Sequence, residues 1–207
     1  MTEYPTPYTS TDLTGRIALV TGTTSGLGKR FAKVIAASGA SVALTGRRAD
    51  RLDDLAKEIR ADGGTCEPVP FDITDPDQIP AIVEKVEGTL GTIDILINNA
   101  GIPDAQRAHK MSNDFVDQVF STNLIGPWKL SCEVARRLIA AEKPGRMINI
   151  SSTGGFSYGG NGAALYSVTK SAIVRMTECL AVEWSRYNIN VNAIAPGAFS
   201  SEMMDGM

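Results

Sequence analysis

With 207 residues, 43% of them apolar and 21% charged, the chain is long enough for one large domain with a continuous core and short for two. A formal net charge of −3 supplies no basic field to hold a phosphate backbone, so nucleic acid is not an expected partner. No apolar run approaches the roughly 20 residues that cross a bilayer, and no membrane association is expected. The polar, Pro-punctuated residues 1–13 lack a basic segment followed by an apolar one, so they read as an N-terminal arm rather than a signal peptide.

The first predicted strand, 16–21, runs directly into Gly22-Thr23-Thr24-Ser25-Gly26-Leu27-Gly28 and then a predicted helix, 26–38, with Leu27, Phe31, Val34 and Ile35 at helical spacing. Glycines at a strand-to-helix turn let backbone approach a pyrophosphate, and the helix N-terminus offers N–H groups and a positive dipole end. An ordinary Gly-rich turn would look the same in isolation. The second predicted strand, 41–45, is followed by Gly46-Arg47-Arg48. An NAD site needs an acid near this position for the ribose 2′-hydroxyl, whereas an Arg can pair with the 2′-phosphate of NADP. Gly46 stands where the acid would be, so Arg47 and Arg48 point to NADPH over NADH; a solvated basic helix start is the plain alternative. After a predicted helix, 51–62, the third strand, 66–71, ends at Phe71-Asp72-Ile73. Asp72 suits an adenine amino group with Ile73 over the ring, or equally a local turn or cap.

A helix entered at Pro76 (76–89) leads to a fourth strand, 93–97, ending in Asn98-Asn99-Ala100-Gly101. Small residues there allow close passage of a cofactor, and Asn side chains can fix the loop backbone. The long predicted helix 114–141 contains Asn123, a poor helix former. It faces solvent or bonds back to the backbone, or it kinks the helix and holds a water. The fifth strand, 146–150, ends at Ser151-Ser152 before a Gly-rich loop, and Tyr166 and Lys170 follow at the start of helix 164–186. A spacing of four puts them on one helix face. A phenol, with a reference pKa of about 10, is poorly matched to neutral pH. A nearby ammonium would favour the phenolate and make it a usable acid or base, while a serine hydroxyl donates to the substrate oxygen. A sixth strand, 190–194, precedes Pro196-Gly197.

Strand–helix alternation with nearly continuous apolar strands predicts an α/β fold, a Rossmann-type doubly wound parallel sheet with helices on both faces. Its ligand crevice lies beyond the carboxyl ends of the strands. Cys66, Cys132 and Cys179 are scattered and odd in number, which suits buried or half-buried small hydrophobes in a reducing cytoplasm. The single histidine, His109, has no partner pattern around it, which argues against a metal site and a Ser–His–Asp hydrolase.

The Thr21-Gly22-x-x-x-Gly26-x-Gly28 loop, Asn98-Asn99-Ala100-Gly101, Asn123, Ser152, Tyr166-x-x-x-Lys170 and Pro196-Gly197 stand in the order of one family. From about Leu13 onward the chain resembles the single-domain short-chain dehydrogenase/reductases, most of all the 3-oxoacyl-thioester reductases. The resemblance implies an NADP(H)-dependent enzyme interconverting a small-molecule carbonyl and a secondary alcohol, as a dimer or tetramer pairing helices 114–141 and 164–186. It implies Tyr166 as general acid/base and Ser152 as the polarising hydroxyl, with Ser151 as the fallback. Lys170 would bind the nicotinamide ribose, and Asn123 would hold a relay water. Cofactor contacts are implied for Gly22, Thr24, Ser25, Gly26, Leu27, Gly28, Arg47, Arg48, Asp72, Ile73, Asn99, Ala100, Gly101, Tyr166, Lys170, Pro196, Gly197 and Ser201, the last standing where the family usually carries Thr. The Ser152-to-Tyr166 gap is one residue longer than is usual. Residues 14–207 are expected to be the dinucleotide-binding catalytic domain, without the family's C-terminal lid and last strand. An epimerase or dehydratase using the same Tyr–Lys pair, or a non-catalytic dinucleotide sensor, are the alternatives; a sensor would be expected to have lost Ser, Tyr or Lys.

Overall fold

The computed structural model describes residues 10–160 and 162–198. The elements are β1 (Ile17–Thr21), α1 (Gly26–Ala37), β2 (Ser41–Gly46), α2 (Ala49–Ala61), β3 (Thr65–Pro70), α3 (Ile79–Leu90), β4 (Ile95–Asn98), α4 (Asn113–Phe120), α5 (Gly126–Ala140), β5 (Gly145–Ile150), α6 (Ala164–Trp184) and β6 (Ile189–Ile194). All six strands pair in parallel in the order β3-β2-β1-β4-β5-β6. The direction of the strand order reverses between β1 and β4, which opens a crevice at their carboxyl ends.

Alternation along the strands divides the core into two layers. Ala18 and Val20 of β1, with Val42 and Leu44 of β2, face α1 and α2 through Ala32, Ala36, Leu52, Leu55 and Ile59. Leu19, Ala43, Leu96 and Met147 face the opposite way, onto Val83, Leu130, Ile173, Leu180 and Trp184 of α3, α5 and α6. Each central strand is buried on both faces, as a parallel sheet requires. β6 departs from that expectation. Ile189 and Val191 are buried, but Asn190, Asn192 and Ile194 are exposed, so among the described residues only one of its faces is covered.

The predicted helix 114–141 is three pieces. α4 passes into a π-helical segment, Ser121–Ile125, before α5 resumes with Pro127 in its first turn. A π bulge inserts an extra residue into the helical ladder and re-aims the side chains around it. Asn123 is one of the residues it turns inward. The predicted 76–89 helix opens as a short 3-10 turn, Pro76–Gln78, in which Asp75 accepts from the Asp77 N–H. Among the described residues no helix is long and apolar enough to cross a membrane.

Candidate active site

A cleft of about 570 Å³ runs along the carboxyl ends of the strands, within the size range of small-molecule sites. Its floor at one end is the turn between β1 and α1. Gly22 adopts φ +70, and a side chain there would press on the Ala100 backbone. Gly28 lies behind the lining, where an added Cβ would fall onto the Gly22 carbonyl and the Asn99 amide. This glycine is therefore required for close helix–strand packing rather than for contact with a ligand. Asn99 ties the turn down: its Nδ2 donates to the Thr21 and Gly22 carbonyls, and its own N–H donates to Thr21 Oγ1. Thr21 Oγ1 also accepts from the Ala100 N–H, at 2.9 Å.

Ser25, the N-cap of α1, makes no side-chain bond to the helix. Its hydroxyl instead accepts from Arg48 Nη2, which also donates to Thr24 Oγ1 at 2.6 Å. The first turn of α1 carries no acidic residue. A helix start without a side-chain cap and with a guanidinium folded across it can hold an anion, and its chemistry fits the phosphates of a dinucleotide. Arg47 lines the same end of the cleft and is exposed. Asp72 and Ile73 line it too. Asp72 Oδ1 accepts from both the Thr74 N–H and the Thr74 hydroxyl, so the turn-forming alternative is realised.

At the other end stand Ser152, Tyr166, Lys170, Pro196 and Gly197. Ser152 caps a 3-10 turn, accepting from the Gly154 N–H, and lines the cleft together with Tyr166. Ser151 also lines the cleft, but its hydroxyl donates to the Lys170 carbonyl, at 2.8 Å. Lys170 is 4% exposed; its Nζ donates to the Ile150 carbonyl at 2.7 Å and lies 5.5 Å from the Tyr166 ring centroid. Burial pulls the Lys170 pKa down to about 8. The Tyr166 phenol is raised above its ordinary value. Burial is the main cause, the Ser152 hydroxyl works the other way, and Asp104 adds to the rise. This corrects the expectation of an ammonium-lowered phenol. Lys170 spends its nearest contact on a backbone carbonyl, and burial of the phenol governs the direction of its shift.

Asn123, 1% exposed, accepts from the Ile102 N–H and donates to the Ile102 carbonyl and Thr169 Oγ1. It stitches the loop after β4 to α6, and its neighbour Thr122 lines the cleft in its place. Behind it, Asn98 Nδ2 donates to Ser131 and Asn149, and Asn149 donates to Thr177, a buried polar chain joining β4, α5, β5 and α6. Ser201 lies outside the described residues. Cys66 is buried and Cys132 half-buried as expected, but Cys179 is exposed. His109 is exposed in a short turn, Ala108–Lys110. Sequence reasoning missed Thr21, Phe71, Thr122, Ile150 and Thr153 in the cleft lining, and the buried acid Asp104. Thr21 was findable as a hydroxyl at a strand end; Asp104 carried no local signal.

The chain matches the short chain dehydrogenase family over residues 16–207. It is 37% identical over 193 residues to the gluconate 5-dehydrogenase of Gluconobacter oxydans, covering 93% of this chain and 75% of that one. It is 36% identical over 193 residues to the 3-oxoacyl-[acyl-carrier-protein] reductase of Thermotoga maritima, covering 93% and 78%. A short-chain type dehydrogenase/reductase from Mycobacterium marinum superposes with a TM-score of 0.91 at 33% identity, over 95% of this chain and 78% of that one. A gluconate 5-dehydrogenase from Burkholderia cenocepacia, solved in complex with NADP and tartrate, gives 0.88 at 32% identity, over 95% and 76%. A six-stranded parallel sheet, a glycine turn under a helix start and a matching sequence over nearly the whole chain lead to one assignment: this protein is an oxidoreductase of the short-chain dehydrogenase/reductase family.

Proposed function

We propose that the chain binds NADP(H) along the cleft and interconverts a ketone or aldehyde with the corresponding alcohol at the Ser152–Tyr166 end. The observation that carries the reading is the joint placement of Ser152, Tyr166 and a buried Lys170 at one end of a cleft whose other end holds Arg47 and Arg48. When bound, NADPH supplies the hydride for the carbonyl carbon. Tyr166 delivers the proton to the carbonyl oxygen, and Ser152 donates a hydrogen bond to the same oxygen as charge builds there. Lys170 is the donor for the ribose hydroxyls at the nicotinamide end. Asn123 keeps the Gly101–Ile102 backbone and α6 in register, so that Tyr166 and Lys170 stay at the cleft. Arg47 and Arg48 pair with the 2′-phosphate.

The names of the relatives, a gluconate dehydrogenase and a 3-oxoacyl carrier reductase, favour an oxygenated acid or acyl thioester as substrate. The free cysteines suit a reducing compartment such as the cytoplasm. Gluconate with NADP and acetoacetyl thioester with NADPH are the first assays. Tyr166→Phe keeps the ring packing and removes the transferable proton, so turnover falls by about 10²–10⁴-fold while cofactor affinity is retained. Wild-type kcat in that variant would remove Tyr166 from the chemistry.

A further inference from the structure

Asp104 lies in the loop after β4 and is 1% exposed. An acid is seldom buried so completely without a partner that repays its desolvation. One oxygen has such a partner: Oδ2 accepts from the Leu165 N–H at 2.9 Å. Leu165 is in the first turn of α6, where backbone N–H groups lack helical acceptors and the dipole favours a negative charge. Ala163, the N-cap, offers no side-chain bond, so a residue some sixty positions upstream does the capping. The second oxygen, Oδ1, is buried and accepts nothing among the described residues. Asp104 thus lies against the turn that carries Tyr166.

Resting on the reading of Tyr166 as proton donor, we propose that Asp104 is a positioning residue for that phenol. Its buried carboxylate fixes the first turn of α6 from the loop after β4 and places a negative charge beside Tyr166. Lys170 stands one turn along α6 with its Nζ 5.5 Å from the Tyr166 ring, Ser152 lines the same cleft from the loop after β5, and Asp104 reaches the neighbouring Leu165 N–H from the loop after β4. Ser152 stabilises the phenolate, whereas Asp104 opposes it. Asp104 thereby adds to the burial that holds the proton on Tyr166, as a carbonyl reduction requires of its acid.

The test is a spectrophotometric titration of tyrosinate absorbance in the full chain, with the Tyr166→Phe trace subtracted to isolate Tyr166. Asp104→Asn keeps an oxygen for the Leu165 N–H and removes the charge. Tyr166 should then ionise at lower pH than in wild type, with the thermal midpoint little changed. The alkaline limb of kcat/KM for NADPH with acetoacetyl thioester should move the same way, while Asp104→Glu should titrate close to wild type. Should Asp104→Asn not fold, Asp104→Ser supplies an uncharged cap acceptor and the same measurement. An unchanged Tyr166 titration in the uncharged variant that folds overturns the proposal. The titration does not depend on turnover, so its failure is distinct from an active Tyr166→Phe enzyme, which would instead sink the catalytic reading.

Discussion

At the residue scale, burial governs the ionisable groups of the site. The folded Lys170 pKa of about 8 lies below its reference of 10.5. Below pH 8 the side chain is charged in both states, and the full cost of burying the charge is present. Between pH 8 and 10.5 the folded chain sheds this proton while the unfolded chain keeps it, so stability climbs with pH by about 3 kcal/mol in total. Tyr166 opposes the rise only above its reference of 10.0, where the unfolded phenol ionises first. The raised thiols of Cys66 and Cys132 oppose the rise from about their reference of 9.0, so urea unfolding of the cofactor-free protein between pH 8 and 10 should show a stability slope more positive in wild type than in Lys170→Met; equal slopes would refute the burial account. Arg47 is the simpler case. As an exposed guanidinium at the cleft rim it is expected to pair with phosphate, a contact worth roughly 1.5–3 kcal/mol. Arg47→Asp should then lower kcat/KM for NADPH by one to two powers of ten and improve NADH, and equal kcat/KM for the two cofactors in wild type would count against it. The sequence made these residues legible as chemistry because each stands at a strand end or on one helix face. It could not show that Lys170 turns to the Ile150 carbonyl, because desolvation belongs to the assembled fold.

At the element scale, the strand ends and most helix limits were readable because hydrophobic period and Gly/Pro punctuation agree there. The π segment at Ser121–Ile125 was not. Asn123 signalled an irregularity, but its partners are Ile102 and Thr169, 21 and 46 residues away, and no local pattern encodes them. Glycines show the same divide between what is local and what is not. Gly28 and Gly88 both sit inside helices, yet a Cβ on Gly28 meets the Gly22 carbonyl and the Asn99 amide, while a Cβ on Gly88 of α3 meets nothing within 4 Å. Gly28→Ala should cost about 1–3 kcal/mol by overpacking and weaken NADPH binding by shifting the start of α1. Gly88→Ala should stabilise by about 0.5–1 kcal/mol through the gain in helix propensity. Thermal denaturation of the two variants side by side decides it, and similar shifts for both would undo the packing argument.

At the scale of the whole molecule, parallel order and two-layer packing followed from strand–helix alternation, but the bare face of β6 did not. α5 and α6 keep large apolar side chains outward: Trp128 is 43% exposed, Val168 56% and Val182 80%. A two-fold pairing of these helices, the commonest closed symmetry, would cover them. Sedimentation at micromolar concentration should give a dimer or tetramer that Trp128→Glu with Val182→Glu dissociates, and a wild-type monomer would exclude the pairing. The position of β1 between β2 and β4 also orders events during synthesis. β2 and β3 follow β1 closely in the chain, so one edge of β1 is closed early. Its other edge waits for β4, with the Ile17–Asp94 bond spanning 77 residues. Until β4 leaves the ribosome, Ala18, Leu19 and Val20 present an unpaired apolar edge of the kind that recruits other chains. A nascent chain arrested just before β4 is thus a species a holdase chaperone should grip, and the open edge passes to β4 until β5 has emerged and paired with it.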